Sequence, residues 1–503
     1  MSGTISELQL TDFSGGLNLR DAPSEMTPNQ SPALLNVTLD NRGAVVKRLG
    51  FTLVSTPPGS PTSVNQNAYF WPSGNKMIFK FGTKLYSLSG VTLTLIHTFT
   101  DDSHVDFADF LGELIVIHET DAVLSWTGVA LDALVAVANS PRGLTIETWQ
   151  NALWCAGNPL NNTLVTRSDL GAITFPVDVA AGLVTVNMRD VNDQKVINLT
   201  AAGWDGLLAC KDDVIHRIED PSTGGYVTIN RDMGTVSNKS VIAYDGIFFT
   251  LNDRGIAASN GLRAFKLISD KIEPIFANNQ INLNLKDNWC TGVFDDRLFF
   301  NISQTGGTEN DLMIEFKPEH QFFVTHDIKA QAMAQAHEDS RLTYHVNASL
   351  VFQTFNGGSD NGVAIESVFQ TAWFQPAGFH KSRWRRMRLQ GRSADAGLTM
   401  NVLKDFEVGE PDEAGTVVPI DLTYPTVTWD STTWLGSVWA GTRQERFDAT
   451  PGVGVGRSIS LVFTETSELT ETTPKLNVTG SAQTVGAWSI NAVMLSYVPL
   501  GLS

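Results

Sequence analysis

The feature that most constrains this chain is a recurrence. Seven times, a strand ending near an aromatic or a histidine is followed by a tight polar turn, a second apolar strand, another turn and a third strand. The closing positions are Trp71, Phe110, Trp149, Trp204, Tyr244, Phe294 and His337, separated by 39, 39, 55, 40, 50 and 43 residues. The spacing predicts second strands over Lys76–Phe81, Leu114–His118, Ala152–Ala156, Leu207–Cys210, Ile247–Leu251, Leu298–Ile302 and Leu342–Val346. Third strands follow over Lys84–Leu88, Val123–Trp126, Leu164–Arg167, Val214–Ile218, Ile256–Ser259, Leu312–Phe316 and Leu350–Gln353. A period of about 40 to 50 residues built from short antiparallel strands is the pattern of a β-propeller, because one small sheet cannot bury both faces unless neighbours stack against it. The alternation also allows a run of hairpins in one large sandwich; the fixed placement of the polar turns favours a propeller of six to seven blades.

The 503-residue length exceeds what one ordinary core fills, so two or three domains are expected unless the repeat spreads the core along the chain. With 42% apolar and 17% charged residues the chain can bury a sizeable interior, which excludes wholesale disorder. The excess of 53 acidic over 35 basic residues gives a net charge of −18. Such a chain does not attract nucleic acid, whose affinity comes from Lys and Arg neutralising phosphates. The charge serves either solubility or a surface past which DNA slides without sticking. Cys155, Cys210 and Cys290 fit no zinc spacing and read as buried small residues in a chain folded in a reducing compartment. The start of the chain has no signal-peptide pattern, and no apolar run reaches the roughly 20 residues of a membrane span. A soluble protein made in the cytoplasm is expected.

Two regions flank the recurrence. Residues 1–57 hold Gly15-Gly16, Pro23, Pro28 and Pro32, and read as an extended N-terminal arm with a short helix from Thr27-Pro28 to Asn36. A hairpin follows, with Asn41-Arg42-Gly43 turning between Val37–Leu39 and Ala44–Val46. Residues 58–365 form the propeller. Residues 366–503 carry predicted strands at Ser367–Phe374, Arg383–Gln390, Leu398–Leu403, Val427–Asp430, Ser458–Phe463 and Ala487–Tyr497, and read as a C-terminal β-sandwich. The fold class is therefore all-β: arm, propeller, sandwich.

A search for chemistry returns none. His118-Glu119 has no second His at zinc-protease spacing, and Gly452, Gly454 and Gly456 lack the strand-before, helix-after context of a nucleotide loop. His320 and His326 bracket a strand at an offset that puts both on one face, the start of a metal site or simply paired surface histidines. Asp101-Asp102 and Asp295-Asp296 could hold calcium weakly, and hairpin-turn chemistry explains them as well. No catalytic residue, cofactor or metal site is expected, and the chain is read as not an enzyme.

One charge cluster stands out: Arg383, Trp384, Arg385, Arg386 and Arg388. On a regular strand Arg383 and Arg385 share a face with Met387, and Trp384, Arg386 and Arg388 lie opposite. Interleaved aromatic and guanidinium groups suit nucleic-acid stacking. A subunit interface that meets a neighbour's carboxylates fits an acidic oligomer better, and a solvated strand is the third reading.

The arm carries a family resemblance. Phe13, Gly15, Gly16, Leu17 and Asn18, then Pro28, Gln30 and Asn36, then Arg48 and Gly50 resemble the opening of tail hub or nozzle proteins, the tail tubular rings of short-tailed bacteriophages. Leu49 departs from that pattern, where a Pro is common. The C-terminal stretches Gly456–Ser460 and Ala487–Asn491 are similar to that family as well. These residues read as structural, the glycines where backbone bends or packs closely and Arg48 as an anchor.

The resemblance implies a virion protein made in the host cytoplasm and built into the tail as a homohexameric ring. Such a ring lies below the portal and adaptor, contacts tail fibres or tail-tip proteins, and encloses a channel that helps retain double-stranded DNA and deliver it at infection. Six copies at −18 would carry about −108, and carboxylates facing the lumen would repel phosphates, with no specific binding. The alternatives are a carbohydrate-binding or depolymerising propeller of a host-recognition apparatus, which the 12 tryptophans permit, and a cellular propeller scaffold.

Overall fold

A short apolar strand that ends in a tight turn must return antiparallel, and after three such returns its sheet still has two faces to cover. In the computed structural model this is met by seven sheets arranged in a closed ring. The described residues are 5–499, apart from 41–42, 60, 62–64, 130–132, 178–182, 190–192, 202–205, 263, 278, 337–341, 377–380, 394–397, 406–417, 420–444, 450–454 and 466–487. The chain divides into two units: residues 53–315 with 328–354, and residues 1–52 with 316–327 and 355–503.

The first unit is a seven-bladed propeller. Its inner strands are Asn67–Trp71, Val105–Phe110, Thr145–Trp149, Asn198–Thr200, Val241–Tyr244, Cys290–Phe294 and Ala332–Gln335. Each contacts the next, and Ala332–Gln335 contacts Asn67–Trp71, which closes the ring. Closure is reinforced in the seventh sheet, whose outer strand Phe51–Ser55 comes from the chain segment that precedes the first blade. The second and third strands of every blade fall where the turn spacing predicts them. Lys76–Phe81 and Leu207–Cys210 match to the residue, and the rest differ by up to three residues at an end. The closing positions Trp204 and His337 lie outside the described residues.

The sheets pack through their faces. Trp71, Ile78, Leu85, Phe107, Leu114, Val116 and Trp126 interdigitate between the first two blades. Phe79, Phe81, Tyr86, Ala332, Val346 and Val351 do the same between the first and the last. The repeated aromatics are thus packing groups; Trp71 is tilted against Trp126 at 5.6 Å between ring centroids. All three cysteines are buried and unbridged. Burial pushes the Cys210 thiol up to about 12 and Cys290 up to about 11.

The second unit joins the arm to the C-terminal region, so the expected separate arm and sandwich are one body. The first of its two main sheets holds Ser382–Ser393, paired along its length with Trp488–Pro499. Trp488–Pro499 pairs in turn with the arm strands Ser6–Leu10 and Val45–Lys47. In the second sheet the arm strand Ala33–Leu35 pairs with Ser367–Gln370, which pairs with Ile459–Glu465, and that strand with Thr399–Lys404. Between them lie Phe13, Phe369, Met387, Leu389, Met400, Phe463 and Val493, all buried. The arm is held because its apolar residues complete both sheets, which the C-terminal strands do not close alone.

The helix expected from Thr27-Pro28 to Asn36 is absent. Gln30–Ser31 and Ala33–Leu35 are strands, and Asn36 has a left-handed φ of 54°. Pro32 supplies no N–H and disfavours the helical conformation of Ser31, and a segment this short gains too little to nucleate. The expected hairpin does form, with Val37–Leu39 antiparallel to Val45–Lys47. Asn41 and Arg42 of its turn lie outside the described residues, as does the expected strand Val427–Asp430.

Candidate functional site

The arm residues singled out in the sequence are drawn together by a buried polar cluster in the second unit. Arg48 is 1% exposed. Its Nε donates to Asn36 Oδ1 at 2.8 Å, Nη1 to Asp360 Oδ1 at 2.7 Å and Nη2 to Asp360 Oδ2 at 2.6 Å. Nη2 also reaches Asp327 Oδ1 at 2.8 Å. The planar fork of a guanidinium suits this two-oxygen grip on one carboxylate. Asn36 in turn donates from Nδ2 to the carbonyl of Glu366 at 2.6 Å and accepts from the N–H of Asp327 at 3.1 Å.

A second clamp is built on Asn18. Its Nδ2 donates to Gln30 Oε1 at 2.9 Å and to Asp21 at 2.7 Å, while Gly16–Leu17 runs parallel to Gln30–Ser31. Phe13 meets Phe369 edge-on at 5.1 Å. Gly16 has φ +66°, and a Cβ there would lie 2.6 Å from the Cβ of Phe322. A Cβ on Gly50 would lie 1.9 Å from the carbonyl oxygen of Ser359. Gly15 packs against the Asn29 carbonyl, and only Pro28 of the ten residues is exposed. Beside them Lys47 and Glu465 form a fully buried ion pair at 3.0 Å. Asp327, Asp360 and Glu465 carry no sequence signal, since their partners are some 280 to over 400 positions distant.

The arginine cluster is arranged differently from the regular strand expected for it. A bulge shifts the register between Trp384 and Arg386: Trp384 faces Tyr497 and Arg386 faces Ser496, leaving Arg385 as the extra residue. Side-chain alternation is therefore re-phased. Trp384, Met387 and Leu389 are buried, whereas Arg383, Arg385 and Arg386 are exposed and Arg388 is half-buried. Arg386 and Arg388 do not share a face with Trp384, because the core on that side has room for an indole and no water for a guanidinium.

In the propeller unit the axis is sealed at the end where the inner strands begin. The segment Ser237–Lys239, just before the fifth inner strand, reaches the entry of all six other blades. Lys239 Nζ donates to the carbonyls of Gln66 and Gln331 at 2.9 and 3.0 Å, and Asn238 Nδ2 to those of Val105 and Leu144 at 3.0 and 3.3 Å. The carbonyl of Asn238 accepts from Asn198, and that of Lys239 from the N–H of Thr291. Burial lowers the pKa of Lys239. It also brings Lys80, whose Nζ binds the carbonyls of Asn65, Asp102 and Ser103, down to about 7, with the Lys239 charge second. Beside the seal a cavity of about 420 Å³ is bordered by the ion pairs Lys195–Glu119 and Lys286–Asp212.

Farther along the inner strands, burial pushes the carboxyl of Asp106 up to about 7 and that of Glu147 up to about 8. Asp106 accepts from Thr145 Oγ1 at 2.8 Å and from the N–H of Ile146 at 3.1 Å, which ties the second blade to the third. The carboxylates of Asp295 and Asp296 accept instead from Arg297 Nη2 at 3.2 Å and from the Tyr244 hydroxyl at 2.8 Å. His326 is buried and His320 sits in a turn, so the two do not share a strand face. Among the described residues no group of three His, Cys, Asp or Glu side chains could hold a metal ion, and no helix is long and apolar enough to cross a membrane.

No known protein family matches the chain, and no curated protein is similar to it. Solved structures with a similar course of chain include PorZ, a bacterial surface component of the type-IX secretion system of Porphyromonas gingivalis, at 12% identity and a TM-score of 0.37. That match covers 67% of this chain and 44% of PorZ, so the chain spans less than half of that protein. A chain of the mitotic checkpoint complex gives 12% identity and 0.42 over 67% of this chain and 97% of that one. YCF48, solved bound to D1 peptide, gives 9% identity and 0.39 over 60% and 95%.

Proposed function

We propose that this chain is a structural virion protein, the repeating unit of a nozzle or hub ring in a short-tailed bacteriophage tail. The observation that carries the reading is what the arm residues do. Nine of the ten are wholly or partly buried, and they clamp backbone, fill a core or anchor a guanidinium. They are the residues on which the resemblance rests, and their work is mechanical. Asn36, Arg48 and Gly50 fix where the arm meets residues 356–366, as expected of a part that must hold its shape under load.

The sealed axis bears on where DNA would run. With Ser237–Lys239 bonded to every other blade, a duplex has no passage along one propeller, so a channel would be enclosed between copies. The surplus of 18 negative charges per copy would keep phosphates from adhering to such a wall. The glycan-binding alternative calls for exposed aromatic platforms, and all eight tryptophans among the described residues are buried.

The reading is tested by native mass spectrometry and negative-stain imaging of the purified chain, with the parent particle's tail imaged in parallel. A six-fold ring with an open central channel is expected. A monomer with no place on the tail axis would sink the reading.

A further inference from the structure

We propose that the cavity beside the axial seal is a binding site for a small zwitterion, a short peptide with free termini, whose carboxylate meets the ring of His104 and whose ammonium meets Asp287. The inference stands apart from the ring reading. The cavity has a volume of about 420 Å³, within the range of small-molecule sites. His104 and Glu119 border it from the second blade, Lys195 and Asp212 from the fourth, and Lys286 and Asp287 from the 3-10 helix Leu283–Asn288 that leads into the sixth. The second and sixth blades are three steps apart in a ring of seven, so the two ends of the cavity lie across the axis from each other. Most of the charged groups around it are already engaged. Lys195 binds one oxygen of Glu119 at 3.0 Å, the backbone N–H of His104 lies 3.4 Å from the other, and Lys286 spans both oxygens of Asp212 at 3.1 and 2.9 Å. Two groups are not. Among the described residues, the imidazole of His104 and the carboxylate of Asp287 make no hydrogen bond or ion pair.

The two ends differ in sign. Burial, and then the charges of Lys239, Lys80, Lys195 and His118, bring the His104 imidazole down to about 3, so it stays neutral and offers one N–H. Lys80 and Lys239 bind only backbone carbonyls and form no ion pair among the described residues, so their charge has no counterion at this end. At the other end burial works against the charge of Lys286, yet the bond to Asp212 and the charges of Asp212, Asp253 and Asp287 raise its pKa. The field there is negative. Leu144, Ile197 and Val236 line the stretch between and offer apolar surface to a peptide chain. An isolated anion would meet the carboxylates of Glu119, Asp212 and Asp287, and an isolated cation the positive field around His104. A molecule with both charges suits both ends, and with no net charge it approaches a chain of net charge −18 without repulsion. A cavity of this volume is about 9 Å across if round, the length of two or three extended residues at roughly 3.4 Å each.

The test adds triglycine to the full chain and reads binding by isothermal titration calorimetry and the His104 ring by NMR. The controls are acetate, ethylammonium and N-acetyltriglycine amide, which carry one charge or none. Triglycine is expected to bind saturably at millimolar concentration or below, about tenfold or more tightly than any control, and to raise the His104 pKa. Asp287→Asn, at an exposed position, should weaken that binding about tenfold or more with the melting temperature almost unchanged, and His104→Gln should weaken it by a similar factor. An absence of saturable binding overturns the proposal. Acetate or ethylammonium bound as tightly as triglycine also overturns it, because the cavity would then serve a single charge. Where His104→Gln does not fold, Asp287→Asn and the wild-type ring resonance decide. Unchanged affinity in Asp287→Asn, or a His104 ring that triglycine does not move, places the peptide elsewhere and overturns the proposal.

Discussion

Arg48 and Asn36 are bonded twice. The side-chain Nε of Arg48 donates to Asn36 Oδ1 at 2.8 Å, and its backbone N–H donates to the Asn36 carbonyl at 3.0 Å. The left-handed backbone of Asn36 is what allows both bonds, because it turns the chain so that Val37–Leu39 and Val45–Lys47 lie side by side. Arg48→Ala leaves Asn36 and Asp360 short of a partner where there is little water, and the exposed Asp327 short of one at the edge of the site. It is expected to destabilise the second unit by about 3 kcal/mol, near the lower end for one partner lost from a buried pair, because Asp327 and Asp360 keep some solvent. Arg48→Lys restores the charge without the fork and should recover only part of this, as read from denaturant unfolding.

Gly50→Ala places a methyl 1.9 Å from the carbonyl oxygen of Ser359, and all the atoms it crowds are Ser359 backbone, which cannot rotate away. The variant should lose about 2 kcal/mol or more, the range for overpacking a tight contact. The check is the melting temperature, with Gly90→Ala as a comparison at a glycine that has nothing near it. Gly90 has a φ of +59°, so its own loss reports backbone strain alone.

The re-phased strand gives a pair of contrasting substitutions. Met387→Glu buries a carboxylate in the core beside Leu389 and should unfold the second unit or cost it several kcal/mol. Arg386→Glu changes charge at an exposed position and should move stability by no more than about 0.5 kcal/mol. A regular strand would give the opposite order, so chemical denaturation of the two variants decides between the geometries.

The pH dependence of the propeller follows from Asp106 and Glu147. Their folded pKa values, about 7 and about 8, lie above the ordinary 3.8 and 4.5, so between those limits the folded state binds more protons than the unfolded one. Their contribution to stability is therefore present below about pH 4 and lost as pH rises through 7 to 8. Glu147→Gln is neutral throughout and should be more stable than wild type at pH 9, by of the order of a few kcal/mol, with the difference shrinking toward pH 4. His104, brought down to about 3 by burial and the nearby lysines, acts in the opposite sense between 3 and 6.5. The comparison is thus best made between variant and wild type by thermal melts across pH.

Lys239→Met removes the donors that satisfy the carbonyls of Gln66 and Gln331 at the seal. A loss of about 2 kcal/mol is expected for buried acceptors left unpaired. The same change removes one charge that holds the Lys80 ammonium down near 7, so the Lys80 pKa should rise. Carbon-detected titration of the lysine side chains reads that shift, and an unmoved Lys80 would mean the two charges do not interact.

The sequence by itself determined the propeller, because each blade is written locally. A tight polar turn such as Phe294-Asp-Asp-Arg297 fixes the return of the next strand within a few residues, and the strand Arg297–Ile302 begins where that turn ends. The resemblance carried by the arm also marked Asn36, Arg48 and Gly50 as structural, with Arg48 read as an anchor. Tertiary structure alone decided what those residues bind. Arg48 finds Asp360 from 312 positions away and Lys47 finds Glu465 from 418, and no local pattern encodes a pairing of that separation. It alone turned Thr27–Asn36 from a helix into strands, because the second sheet offered Ala33–Leu35 a partner in Ser367–Gln370. The face of each arginine was also settled there. Alternation of side chains is a local rule, but a bulge is placed by the register that buries Trp384, Met387 and Leu389 at once, and that register is set by the strand Trp488–Pro499 a hundred residues on.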